Sequence, residues 1–143
     1  MRGEKKYRRA SEILDALYNS PQFSQADKVD LYNAYLTLIR ASAYLGNHKA
    51  QLELALHYEE HNYFGVNKEY CKARVSYWYQ KSCKGNIADA CNSLATIYEA
   101  DGKIEEAITL YEKAIELGNS LARKNLYHLQ KTQQKKSPVK KAL

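Results

Sequence analysis

The sequence predicts an all-α chain, an α-α superhelix (solenoid) of antiparallel helix pairs with about seven helices. Three observations predict it. Ala50, Leu54, Ala55 and Tyr58 recur as Ala90, Leu94, Ala95 and Tyr98, with partial copies at Ala122 and Leu126 and at Ala10, Leu14 and Tyr18. The anchor alanines stand 40, 40 and 32 residues apart, and a period of roughly 20–50 residues marks one supersecondary unit stacked several times. Within each copy, offsets of 0, 4, 5 and 8 fall on one face of a helix, where small alanines let a partner helix approach and Leu and Tyr fill the space beside it. Helix breakers (Gly46-Asn47, Gly85-Asn86 and Gly118-Asn119) separate the copies, and Asp101-Gly102 makes a turn inside one.

The elements follow in order. Residues 4–19 read as a first helix, stopped by Ser20-Pro21. Ser24 with Asp27 has the form of a capping box for a second helix reaching Leu45. A third helix runs from His48 to His61, and Asn67 can cap a fourth that ends at Lys84. The fifth covers Ile87–Ala100, and the sixth follows the Asp101-Gly102 turn to Leu117. The last begins after Gly118-Asn119 and fades near Gln133; being lone and polar, it suits the end of an array. Residues 1–133 thus form one domain: a weak first pair at 4–45, repeats at 46–84 and 85–117, and a capping helix at 119–133. Residues 134–143 read as a disordered basic tail.

The chain has 143 residues, one domain by size. Thirteen tyrosines stand against two phenylalanines and one tryptophan, which suits thin helical layers whose core residues keep one edge near water. Tyr77, Trp78 and Tyr79 are consecutive and splay around a helix, so at least one should be exposed. The net charge of +6 is unevenly placed: residues 1–9 and 131–143 carry +9, and the middle, with 12 basic and 15 acidic residues, carries about −3. Nucleic-acid binding would therefore rest on the basic ends alone, and solubilising termini are the simpler reading. No membrane span and no signal peptide is visible. A cytoplasmic location is expected, or a periplasmic or secreted one if a signal peptide has been removed.

Gly65-Val66-Asn67-Lys68-Glu69-Tyr70-Cys71-Lys72-Ala73, Trp78-Tyr79-Gln80-Lys81 and Lys113-Ala114-Ile115-Glu116-Leu117-Gly118-Asn119 resemble the motifs of Sel-one-like repeats. Glu106–Gly118 is also similar to a tetratricopeptide repeat, their cousin. The resemblance covers residues 46–130 well and 5–45 weakly. Two residues more than the family spacing lie between Ala73 and Trp78, implying a longer or bulged fourth helix. Asp15 stands where a small residue is expected.

The resemblance implies a non-catalytic adaptor that binds a protein or peptide in a concave groove lined by the first helix of each pair. Carried over residue by residue, that face holds Leu52, Leu56, Glu59 and Glu60, then Asp89, Asn92, Thr96 and Glu99, then Lys124, His128 and Lys131. These positions are also the ones left over once Ala, Leu and Tyr face the partner helix. Family habit extends the reading to a bacterial immunity protein or a secretion or assembly accessory factor. Self-association is compatible with it.

Cys83 and Cys91 flank the Gly85-Asn86 turn, and in the secreted, cysteine-rich branch of the family such a pair is bridged. Only one repeat here has the pair and Cys71 is left odd, so three buried reduced thiols are the alternative. His57-Tyr58-Glu59-Glu60-His61 matches H-x-x-E-H, a zinc-hydrolase pattern that would put both histidines on one helix face. Tyr58 already fixes the buried side of that helix, so solvated histidines near a helix end are the default. Nothing in the sequence assembles a nucleophile, base and oxyanion site. No enzyme activity, metal or cofactor is expected; a zinc-dependent hydrolase and a nucleic-acid binder are the rival readings.

Overall fold

The structure is a computed structural model and describes residues 2–60 and 71–136. Among these residues there are seven helices and no strand: α1 (Arg2–Asn19), α2 (Gln25–Tyr44), α3 (His48–Glu59), α4 (Lys72–Lys84), α5 (Ala88–Ala100), α6 (Ile104–Glu116) and α7 (Ser120–Lys135). The chain divides into two compact units, Met1–Gly85 and Asn86–Leu143. In the first, α1 pairs with α2, α3 pairs with α4, and α2 packs against α3; in the second, α5 pairs with α6, and α6 and α5 both touch α7. This is the all-α helical-repeat class that the period implied.

The repeated stripe is the core of both units. Ala50, Leu54 and Ala55 on α3 and Ala90, Leu94 and Ala95 on α5 are buried, with Tyr58 and Tyr98 half-buried beside them. A second set recurs on the other helix of each hairpin. Ser42, Ser82 and Ala114 are fully buried, as are the bulky Ile39, Tyr79 and Tyr111 three residues before each of them. The two serines remain small enough for close helix approach because each hydroxyl finds an acceptor on the facing helix. Ser42 Oγ donates to the Gly3 carbonyl at 2.6 Å and Ser82 Oγ to the His48 carbonyl at 2.8 Å.

The terminal helices differ from the inner ones. α1 buries Gly3, Ala10 and Leu17, and α7 buries Ala122 and Leu129. Tyr18, the stripe equivalent of Tyr58, is exposed, and Leu126 is only half-buried. A helix with fewer neighbours needs only a narrow apolar seam, so the wider stripe is diluted there.

The caps agree with the sequence at Ser24, where the reciprocal box with Asp27 forms. Asn47 and Asn119 cap α3 and α7 by accepting from the Ala50 and Ala122 backbone N–H groups, each at 2.8 Å. Asn86 takes the left-handed conformation, φ 64°, that Gly46 supplies at the corresponding turn. Gly85 is needed for a different reason: a Cβ there would lie 2.0 Å from the His48 ring.

Three expectations are corrected. α7 continues to Lys135, so Gln134 and Lys135 are helical and not the start of a tail. α4 is no longer than α5 or α6, at 13 residues each, because Cys71 is already extended, φ −134°. Cys71 is also half-exposed, so the three thiols are not all buried. Asn67, Tyr63, Phe64 and His61 lie outside the described residues, as do positions 137–143. Of the aromatic triplet, Tyr77 is exposed while Trp78 and Tyr79 are buried, as their angular spread required.

Candidate functional site

The expected binding positions fall into two groups, one in each unit. In the first unit, Leu52 and Leu56 are half-buried on α3, and Glu59 and Glu60 are exposed at its end. Glu59 accepts a hydrogen bond from the buried Tyr79 hydroxyl of α4. Leu56 and Glu60 help line a hollow of about 150 Å³ together with Leu14 and Tyr18 of α1, Tyr32 and Tyr35 of α2, and Glu53 and His57.

The wall of this hollow is a hydrogen-bonded layer between α2 and α3. Tyr35 donates its hydroxyl to Glu53 Oε2 at 3.2 Å, and the Tyr32 hydroxyl pairs with His57 Nδ1 at 3.1 Å, the ring tautomer setting the donor. Burial dominates the protonation of every group here. It raises the Tyr32 and Tyr35 hydroxyls, helped by the negative charges of Glu60 and Glu53. It raises the Glu53 carboxyl above its ordinary range, against the opposing bond from Tyr35. It lowers His57 to about 4, with the Arg40 charge adding to the effect. The layer is thus neutral at its histidine and its phenols, with acidic groups toward the hollow.

His57 therefore corrects the expectation of solvated histidines, because the residue is only 6% exposed and its ring is bonded across to α2. Stripe arithmetic put Tyr58 inward but could not show that α2 also covers the neighbouring face of α3. His61, the other histidine of H-x-x-E-H, lies outside the described residues. Among the described residues no three His, Cys, Asp or Glu side chains gather as a metal-ligand set.

In the second unit, α5 and α7 share a hollow of about 490 Å³ lined by Asp89, Asn92, Ser93, Gly118, Asn119, Ser120 and Leu121. Two side-chain bonds span it. Asn119 donates to Asp89 at 2.7 Å, and Asn125 donates to the buried Asn92 at 3.0 Å. Thr96 is exposed, and Glu99 is half-buried and accepts from Tyr111 at 2.6 Å. Lys124, His128 and Lys131 are exposed on α7, with Lys131 Nζ 5.5 Å from the Tyr127 ring. Of the residues expected on the concave face, Asp89 and Asn92 line this hollow; Asn119, Ser93 and Leu121 line it too and were not among those expected. The repeated Gly-Asn pair was the available signal. Asn47 caps α3 and donates to Glu4 at 2.9 Å, just as Asn119 caps α7 and donates to Asp89.

Several expected contact residues thus have structural duties. Glu59, Asp89, Asn92 and Glu99 each accept a hydrogen bond from another helix or a cap. Glu60, Thr96, Lys124, His128 and Lys131 stand exposed.

A tetratricopeptide repeat family model matches residues 88–120, the span of α5, α6 and the first residue of α7. No curated relative matches the chain at a significant level. Helical repeats of this kind present surfaces for binding other proteins. No described helix is long and apolar enough to cross a membrane.

Proposed function

We propose that the chain is a non-catalytic adaptor that holds a protein or peptide against the first-helix faces of its hairpins. One observation carries the reading: the tetratricopeptide match at 88–120 coincides with the hairpin whose α5 borders an open hollow with α7. Thr96 of α5 and Lys124 and His128 of α7, exposed outside the lining of that hollow, are the expected contacts in the second unit, and Leu56 and Glu60 in the hollow of the first unit. Around each hollow the wall is held by intramolecular hydrogen bonds, so a ligand meets a preformed surface and pays little ordering entropy. The finer reading is an immunity protein that neutralises an effector, or an accessory factor for secretion or assembly; the genes beside this one would discriminate the two.

The test is capture of partners from a native lysate with quantitative mass spectrometry. Thr96→Arg, Lys124→Glu and Leu56→Asp should each keep full helicity by circular dichroism and lose the partner captured by the unmodified chain. If all three retain it, the proposed faces are wrong.

A further inference from the structure

We propose that the aromatic groove between the end of α2 and the face of α4 is a second docking site, for an acidic peptide segment that inserts an aromatic or proline side chain. The groove lies within the first unit, measures about 550 Å³, and is lined by Tyr44, Tyr58, Ala73, Arg74, Tyr77 and Trp78. It uses none of the residues assigned to the hollows above, so it stands or falls independently of them.

Trp78 forms the floor and is 4% exposed. Tyr44 and Tyr77 both stand against it, each with ring centroids 5.0 Å away and at 85° and 84° to the indole. This edge-to-face contact fixes the two walls. Yet the walls themselves are open to water: Tyr44 is 75% exposed and Tyr77 48%. Two large rings, held at right angles to a buried indole and left uncovered, make a corner with apolar faces and a rim of hydroxyls. Its volume lies within the roughly 300–1,000 Å³ of ligand sites.

Charge selects the occupant. α4 carries Lys72, Arg74, Lys81 and Lys84 and no acidic residue. Arg74 lies 5.6 Å from the Tyr58 ring and Lys81 Nζ 5.2 Å from the Tyr77 ring. Cations therefore already sit on the ring faces, so the groove repels a cationic guest and attracts an anionic one. The shape separates a peptide from a nucleic-acid strand, which is also anionic. Single strands bind along a series of rings that stack successive bases, whereas rings at right angles form a corner for one inserted side chain. Proline and aromatic residues fit such aromatic-lined grooves, and flanking carboxylates would meet Arg74 and Lys81.

The test selects peptides from a displayed library of random dodecapeptides on the intact protein. Trp78, the one tryptophan of the chain, then reports occupancy of the groove by its fluorescence. The expected result is enrichment of net-negative peptides containing proline or an aromatic residue, each giving a saturable change in Trp78 emission. Tyr44→Ala and Arg74→Glu, both at exposed positions, should weaken that binding about tenfold or more with helicity unchanged, while Leu56→Asp and Thr96→Arg should leave it intact. No enrichment, or enrichment of peptides without acidic character, overturns the proposal. So does binding that survives Tyr44→Ala, or that is lost on Leu56→Asp or Thr96→Arg. In the latter case the peptide occupies one of the hollows, and the adaptor reading stands without this groove. Oligothymidylate that alters Trp78 emission at lower concentration than every selected peptide would overturn it too, making the surface a nucleic-acid site.

Discussion

Tyr111 of α6 donates its hydroxyl to Glu99 of α5 at 2.6 Å, and Tyr79 of α4 makes the same bond to Glu59 of α3. The two tyrosines are 32 residues apart and the two glutamates 40, so the bond is a property of the repeat and ties the end of one helix to the middle of its partner. In each case a fully buried ring reaches a carboxylate nearer the surface, satisfying the phenol where water cannot. Burial and the Glu99 charge together keep the Tyr111 hydroxyl protonated.

Removing that hydroxyl should therefore weaken the second unit without emptying its core. Tyr111→Phe is expected to cost about 1.5–3 kcal/mol, the range for a lost bond to a charged acceptor. Tyr111→Ala should cost about 3–5 kcal/mol because a cavity is added. Urea unfolding followed by circular dichroism measures both. Equal losses in the two variants would show that the hydrogen bond, not the ring, dominates.

Stability should fall on mild acidification because of His57. Its folded value is about 4 against 6.5 for the free side chain, so between those limits the unfolded chain binds a proton that the folded chain refuses. The contribution is complete above pH 6.5 and is lost as pH drops toward 4, up to about 3 kcal/mol. Glu53 acts in the opposite sense: its raised carboxyl favours the fold in acid and loses that advantage as pH rises through its folded value. Tyr32, Arg40 and Glu60 also bear on this layer. His57→Gln, which cannot titrate, should flatten the fall in urea midpoint between pH 7 and pH 5. An unchanged slope would place the proton uptake elsewhere.

Gly85→Ala should destabilise the first unit, because the new methyl would meet the His48 ring. The ring belongs to an exposed side chain held to Gln51 at 2.8 Å, so it can yield at the cost of that bond. A loss of about 1–2 kcal/mol is expected. In combination with His48→Ala the penalty should shrink, with a coupling of about 0.5–2 kcal/mol in a double-mutant cycle. Strict additivity would mean that the new methyl does not meet the His48 ring.

The Cys83–Cys91 bridge suggested by the repeat resemblance remains a proposal. Both sulfurs belong to buried residues, and Cys71 is a free thiol. Alkylation of protein denatured without reductant should label one cysteine, Cys71; labelling of all three would establish reduced thiols.

Much of the fold was legible in the sequence for a simple reason. The alanine stripe at Ala50 and Ala90, the Ser24 box and the Gly-Asn turns are local signals, set by helix periodicity and by the few residues that can cap a helix or enter the left-handed region. The candidate faces were legible only in part. Thr96, Lys124 and His128 emerge exposed as their helical phase implied. Asn92 is buried because Asn125, 33 residues away, reaches its side chain, and no periodic rule foresees that.

By itself the sequence determined which segments are helices, where they turn, and which small residues line the contacts inside each hairpin, since all of these follow from chemistry within a few turns of the chain. The tertiary structure alone decided which polar groups are spent internally. Glu59 and Glu99 serve buried tyrosines, His57 is drawn under α2, and Tyr44 and Tyr77 meet across Trp78 from helices far apart in sequence. Burial and partner choice depend on the distance between side chains brought together by folding, and one-dimensional spacing carries no record of it.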